Sequence, residues 1–238
     1  MKMEPAYTSV GKIFEYRPMF FIPKYQRAYA WEAESVDDFI KDLKNCFERR
    51  KSHIPINHFF GGVLCVRYPV AGAVNQHEYE IIDGQQRMST FTLLMSCLIK
   101  IYKELLEEAK NLRDSNNEFI LEGRIKELSE RFIEFRQEVQ RKVNSVEVMT
   151  LSRVDHSFYR ELIRGINPSP SRDSHQKINY AYLTLLKAVR NIISPSKLEE
   201  KMDDIEIIQN KVTLNSFNKN GFNLSIAFTY SEKHHVAL

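Results

Sequence analysis

Cysteine is sparse and scattered in this sequence: Cys46, Cys65 and Cys97 stand far apart, with no Cys-x-x-Cys pair. That argues against a disulfide framework or a thiolate zinc site and fits a reducing cytoplasm. Long apolar runs are missing too. The most apolar stretch, Phe91 to Ile99, is interrupted at Lys100, well short of the roughly 18 residues that suggest a membrane span. The opening Met-Lys-Met-Glu-Pro lacks the apolar core of a secretory signal, so a soluble cytoplasmic protein with no membrane partner is expected. No Gly-x-x-x-x-Gly-Lys-Ser/Thr occurs, which rules out an ordinary P-loop. The net charge is only +3, too small to mark a nucleic-acid binder, because phosphate neutralisation depends on local patches. There is no internal repeat and no extended low-complexity segment.

What is present is an ordinary globular composition, 238 residues with 43% hydrophobic and 27% charged, enough to bury a core. Residues 1–34 read as mostly irregular. Ser35 with Asp38 reads as a capping box, and Val36, Phe39, Ile40, Leu43 and Phe47 predict a helix over about 35–50. Phe59 to Tyr68 is β-rich, and Glu78 to Ile82 alternates weakly, so the two predict a hairpin around the Ala71–Gln76 loop. From Gln86 to about Leu112 the pattern is strongly helical. Ile125, Leu128, Phe132, Phe135 and Val139 predict a second helix over about 118–143, with acid–base pairs at i, i+4 on its other faces. Further helices are expected over 155–164, ending at Gly165, and 174–193, with a loop at Pro168–Ser171 between them. Ile205–Leu214 reads as a strand and Asn215–Asn223 as a loop. The fold class expected is α+β: a small mixed α/β head, 1–95, and a mainly helical body with an irregular tail, 96–238.

Two clusters carry chemistry. The first is Asp83-Gly84-Gln85-Gln86-Arg87, where a short strand turns directly into a long helix. Such a junction gathers free backbone N–H groups and the positive helix end at one point, which suits an anion. Gly84 permits positive φ or close backbone approach, and the Arg87 fork suits phosphate. Asp83 is placed to hold Mg²⁺, or to orient a water or Arg87. Gln85 or Gln86 is suited to positioning an attacking water, and Ser89 and Thr90 add hydroxyls. The plain alternative is that Asp83 only caps the helix and Arg87 forms a surface ion pair. The second cluster is Tyr25-Gln26-Arg27, within an aromatic stretch stiffened by Pro23 that runs on to Tyr29 and Trp31. Aromatics interleaved with arginine can stack a base while the cation meets phosphate; Tyr29 and Trp31 read better as core anchors. His53, His58 and His77 lack ligand spacing, and His156 reads as a helix-start residue.

The pairing of Ile22-Pro-x-Tyr25-Gln26-Arg27-x-Tyr29-x-Trp31 with Asp83-Gly-Gln-Gln-Arg87-x-x-Thr90 resembles the N-terminal domain of the GmrSD-type restriction proteins. Phe59-Phe-Gly-Gly-Val-Leu64 between them resembles the same family, as do, more loosely, Asp155-x-x-Phe158 and Ile178-x-x-Ala181-Tyr182. The resemblance implies a fold similar to the ParB and sulfiredoxin superfamily. It also implies nucleoside triphosphate binding and hydrolysis that regulate cleavage of modified phage DNA by a separate HNH-type nuclease domain. After residue 200 only His234-His235 stands out, with no HNH arrangement. Asn218-x-Asn220-Gly221-x-x-Leu224 faintly resembles a later element of the domain. The expectation is therefore a truncated member, a stand-alone subunit, or a chain whose nuclease half lies elsewhere, and one that does not cut DNA alone.

Asp83, Gln86 and Arg87 are then the expected catalytic residues of an NTPase, with Asp83 as the Mg²⁺ ligand. Tyr25, Gln26, Arg27, Gly84, Gln85, Arg87 and Thr90 are the expected nucleotide- and phosphate-binding residues. The alternatives are a non-catalytic DNA-recognition or regulatory subunit using the same pocket, and a ParB-like nuclease.

Overall fold

The structure is a computed structural model that describes residues 3–15, 17–54, 58–70, 76–139, 141–193, 197–209 and 224–232. Its centre is α3 (Gln85–Leu112), a 28-residue helix buried on nearly every face along its first half, where Gln85, Gln86, Ser89, Thr90, Thr92 and Ser96 are buried with the apolar residues. Two of the hydroxyls on that helix are satisfied by the preceding turn. Ser89 Oγ donates to the Gln85 carbonyl at 2.7 Å and Thr92 Oγ1 to the Met88 carbonyl at 3.1 Å. Around α3 pack α4 (Ser115–Phe132), α5 (His156–Ile163), α6 (Asp173–Ile192) and α7 (Leu198–Glu206), and α2 (Ala33–Lys51) packs on α6. The mixed α/β class is as expected from the sequence.

A six-stranded sheet lies against this core in the order β1-β8-β3-β4-β2-β7. Its strands are β1 (Met3–Ser9), β2 (Met19–Phe21), β3 (His58–Pro69), β4 (His77–Asp83), β7 (Met149–Thr150) and β8 (Leu224–Glu232). The expected β3–β4 hairpin forms, antiparallel, with Leu64 opposite Asp83; its loop, 71–75, lies outside the described residues. The head expected to end near 95 meets a sheet that draws on both sides of that boundary, since β7 and β8 complete it. The buried residues from Val10 to Ile208 form one cluster. Near its middle Phe14 packs on Phe20, Phe91 and Phe132 at ring distances of 5.4, 5.6 and 5.0 Å. Among the described residues no helix is long and apolar enough to cross a membrane.

Several expected elements are corrected. The N-terminal stretch is not mostly irregular: it holds β1, a short helix α1 (Val10–Ile13) and β2. The capping box at Ser35 does not form; α2 starts earlier, from Glu32, with no side-chain cap. The helix predicted over 118–143 stops at Phe132, and 134–147 becomes a hairpin of β5 (Glu134–Val139) and β6 (Lys142–Glu147). Phe132, Phe135 and Val139 fit helical spacing, but Phe135 and Gln137 are buried between exposed Arg136 and Glu138, a period of two, and pairing with β6 selects the strand. The strand predicted from Ile205 is overturned where it can be seen, because α7 turns Ile205 into the core. Residues 210–223, including the Asn-rich loop, and His234-His235 lie outside the described residues.

Candidate functional site

Asp83 ends β4, and the chain enters α3 through Gly84 at φ +92°. A Cβ at Gly84 would sit 2.7 Å from a Val63 methyl and 2.8 Å from the Gly62 carbonyl oxygen, so only glycine fits. Across from it, Gly61 (φ +115°) lies at a register irregularity of β3, where a Cβ would come within 2.8 Å of Arg87 Nε. The two glycine segments thus let the guanidinium of Arg87 lie on the backbone of β3. Gly84 provides no side-chain cap, so the first-turn N–H groups of α3 have no intrahelical acceptor and no capping oxygen. Asp83 is 75% exposed, and its carboxylate stands 3.9 Å from the Arg87 guanidinium, whose side chain is 30% exposed. Nε of Arg87 is buried without a partner. An exposed carboxylate, an arginine and a bare helix start converge here.

The arm carrying Tyr25-Gln26-Arg27 is fastened to this junction by amide side chains. Gln26 Nε2 donates to the Ile82 carbonyl at 2.8 Å. Gln86 acts as a strand-like partner: its Oε1 accepts from the Ala30 N–H at 2.9 Å and its Nε2 donates to the Ala28 carbonyl at 3.3 Å. Gln85 Nε2 donates to the Arg27 carbonyl at 3.3 Å, while its Oε1 is buried and unpartnered. Tyr29 is buried and shares a 2.7 Å hydrogen bond with Thr90, itself fully buried; burial pushes the Tyr29 phenol well above its ordinary value. The structure therefore brings the two clusters together, while Gln86 and Thr90 point into the contact between them rather than to the open surface. Arg27 remains exposed beside them.

Glu80 and Tyr68, also at the site, were not found from the sequence. Tyr25, 71% exposed, donates to Glu80 Oε1 at 3.0 Å, and Tyr68 donates to Glu80 Oε2 at 2.6 Å. Desolvation, then the Glu80 carboxylate, push the Tyr68 phenol up to about 12, so both tyrosines are donors at neutral pH. Period-two alternation back from Ile82 was the available signal for Glu80. Asp155, noted only within a loose motif, is nearly fully buried. It accepts from the Tyr29 N–H at 2.8 Å and from Ser174 Oγ at 2.5 Å. With Ser152, Gln85 and Arg27 it lines a small cavity under the arm, too tight for a water; Gln85 Oε1 and Ser152 Oγ are buried there without partners. Among the described residues no group of three His, Cys, Asp or Glu is placed to cage a metal.

Fold and junction define a mixed α/β domain in which an N-terminal arm is clasped to the glycine-started end of a core helix. Its residues 10–232 match the family described as the GmrSD restriction endonuclease, N-terminal domain. The chain belongs to that family, which places it among the components of restriction systems. No curated protein matches it.

Proposed function

We propose that this chain is the nucleoside triphosphate-binding and hydrolysing module of a modification-dependent restriction system, working with DNA and with an HNH-type nuclease. The observation that carries the reading is the uncapped start of α3, flanked by Arg87 over Gly61 and by exposed Asp83. Backbone N–H groups and the helix dipole favour phosphate there, and Arg87 adds a fork. Arg27, on the arm clasped to the same helix turn, supplies a second cation. Tyr25 offers an exposed ring for a base. Of the two glutamines, Gln85 keeps one amide atom without a partner, its buried Oε1, while both amide atoms of Gln86 are engaged with the arm.

Asp83 suits a Mg²⁺ that arrives with the nucleotide, because Mg²⁺ is commonly held by one or two carboxylates plus substrate phosphates rather than by a protein cage. Bound there, the ion would neutralise charge developing on the phosphate oxygens. The test is phosphate release from ATP, GTP, CTP and UTP with Mg²⁺, alone and with plain, methylated or glucosylated DNA. Release of phosphate with every DNA left uncut is the expected result. Cleavage of DNA that disappears in Asp83→Ala would instead make the chain a nuclease.

A further inference from the structure

On the far side of the Ser152–Asp155 turn from the arm lies an open groove of about 740 Å³, between α5, the start of α6 and the loop that joins them. Arg153 and Arg172 line it, with the exposed hydroxyls of Ser157, Ser169 and Ser171. Among the described residues neither arginine has an ion-pair partner. The carboxylate next to Arg172, Asp173, is held by Lys177 at 2.9 Å, so Glu161 is the carboxylate that faces these two cations in the groove. The walls are fixed by His175, whose ring stacks on Phe158 at 4.4 Å. Its Nε2 lies 3.0 Å from the Val154 carbonyl, and its Nδ1 shares a 3.2 Å hydrogen bond with Ser171 Oγ. Pro168 and Pro170 stiffen the loop further.

We propose that this groove seats the phosphodiester backbone of double-stranded DNA, with Arg153 and Arg172 on phosphates and the Ser157 and Ser169 hydroxyls donating beside them. Arginine and hydroxyl side chains are the usual backbone contacts, and they position the duplex without reading its sequence. The small net charge is no obstacle, since two guanidiniums against the single carboxylate of Glu161 leave the concavity locally positive. The turn also joins the two sites: Arg153 and Val154 line the groove, while Ser152 and Asp155 line the cavity under the arm. DNA seated in the groove therefore bears on the backbone that holds Tyr29 and the nucleotide arm.

The inference rests on the reading that this chain works with DNA, and the experiment separates the two. Binding of a labelled 20-base-pair duplex is measured across a salt series for the full chain, for Arg153→Gln/Arg172→Gln, and for the control Lys103→Gln/Lys187→Gln. The groove variant should lose about tenfold or more in affinity, and the slope of log affinity against log salt should fall by about two. The control should stay within about twofold of the parent, and nucleotide affinity without DNA should be unchanged in both. Equal DNA binding by parent and groove variant would overturn the groove alone. An equal loss in the control would reduce it to overall charge, and loss of nucleotide rather than DNA affinity would make it a triphosphate site; either overturns the proposal. A parent chain that binds no duplex at low salt would overturn the groove and the DNA reading together.

Discussion

Asp83→Ala should lose nucleotide turnover by about a hundredfold or more while keeping most of its nucleotide affinity. The carboxylate is exposed and stands at the end of β4 beside the bare helix start, where a metal-bridged phosphate or an attacking water would sit. Removing it leaves Arg87, Arg27 and the backbone donors in place, so binding survives. The fold survives as well: an exposed pair at 3.9 Å contributes at most about 1 kcal/mol. Single-turnover phosphate release and nucleotide titration, run beside a thermal melt, separate the effects. Undiminished turnover in a folded Asp83→Ala protein would move the chemistry to another group.

The second large effect is on stability. At Gly84 the backbone is left-handed, and a Cβ would meet Val63 and the Gly62 carbonyl under 3 Å. Neither is the far end of a flexible side chain, so Gly84→Ala must move β3 or the start of α3. The cost should be about 2–5 kcal/mol, combining left-handed strain with overpacking. Gly123 is the internal comparison. It lies on α4 with nothing within 4 Å of a built Cβ, so Gly123→Ala should be neutral or stabilising by up to about 1 kcal/mol. Denaturant titrations of both variants check the contrast. A Gly84→Ala protein as stable as its parent would mean that the two glycine segments do not pack as one unit.

The same glycines show how much of the site was legible. Asp-Gly between a short strand and a long amphipathic run marks a strand-to-helix junction from local chemistry alone, and the helix starts at Gln85 as that pattern requires. Gly61-Gly62 could be seen as unusual in a strand, but its reason, Arg87 lying over it, needed the pairing of distant segments. Gln86 and Thr90 had the right chemistry for a ligand, yet the arm folds back on them, and sequence spacing holds no record of which way a side chain in the first helical turns faces. Asp155 acts across 126 positions, on the Tyr29 N–H, so no local pattern could disclose it.

The same division holds for the fold. α3 and α6 follow from periodicity because their partners surround them on one stripe or on all sides. β1 and β8 escaped because neither is stabilised locally: Met3 pairs with Ser231, and β8 then pairs parallel to β3 through Leu64 and Thr229. A strand whose partners come from opposite ends of the chain carries only weak alternation of its own. The β5–β6 hairpin misled differently, since the same aromatic residues satisfy periods of two and of about 3.6, and only pairing with β6 decides between them.

The most direct test is equilibrium binding of each of the four nucleoside triphosphates with Mg²⁺, by calorimetry, to the parent chain, Arg27→Ala and Arg87→Ala. Binding to the parent is expected for at least one nucleotide. Each variant should weaken it by about 1.5–3 kcal/mol, the loss of one charge-assisted contact, with thermal melts showing both variants folded. Binding that neither variant changes, or no binding of any triphosphate to the folded parent, would contradict a nucleotide site where the arm meets the start of α3.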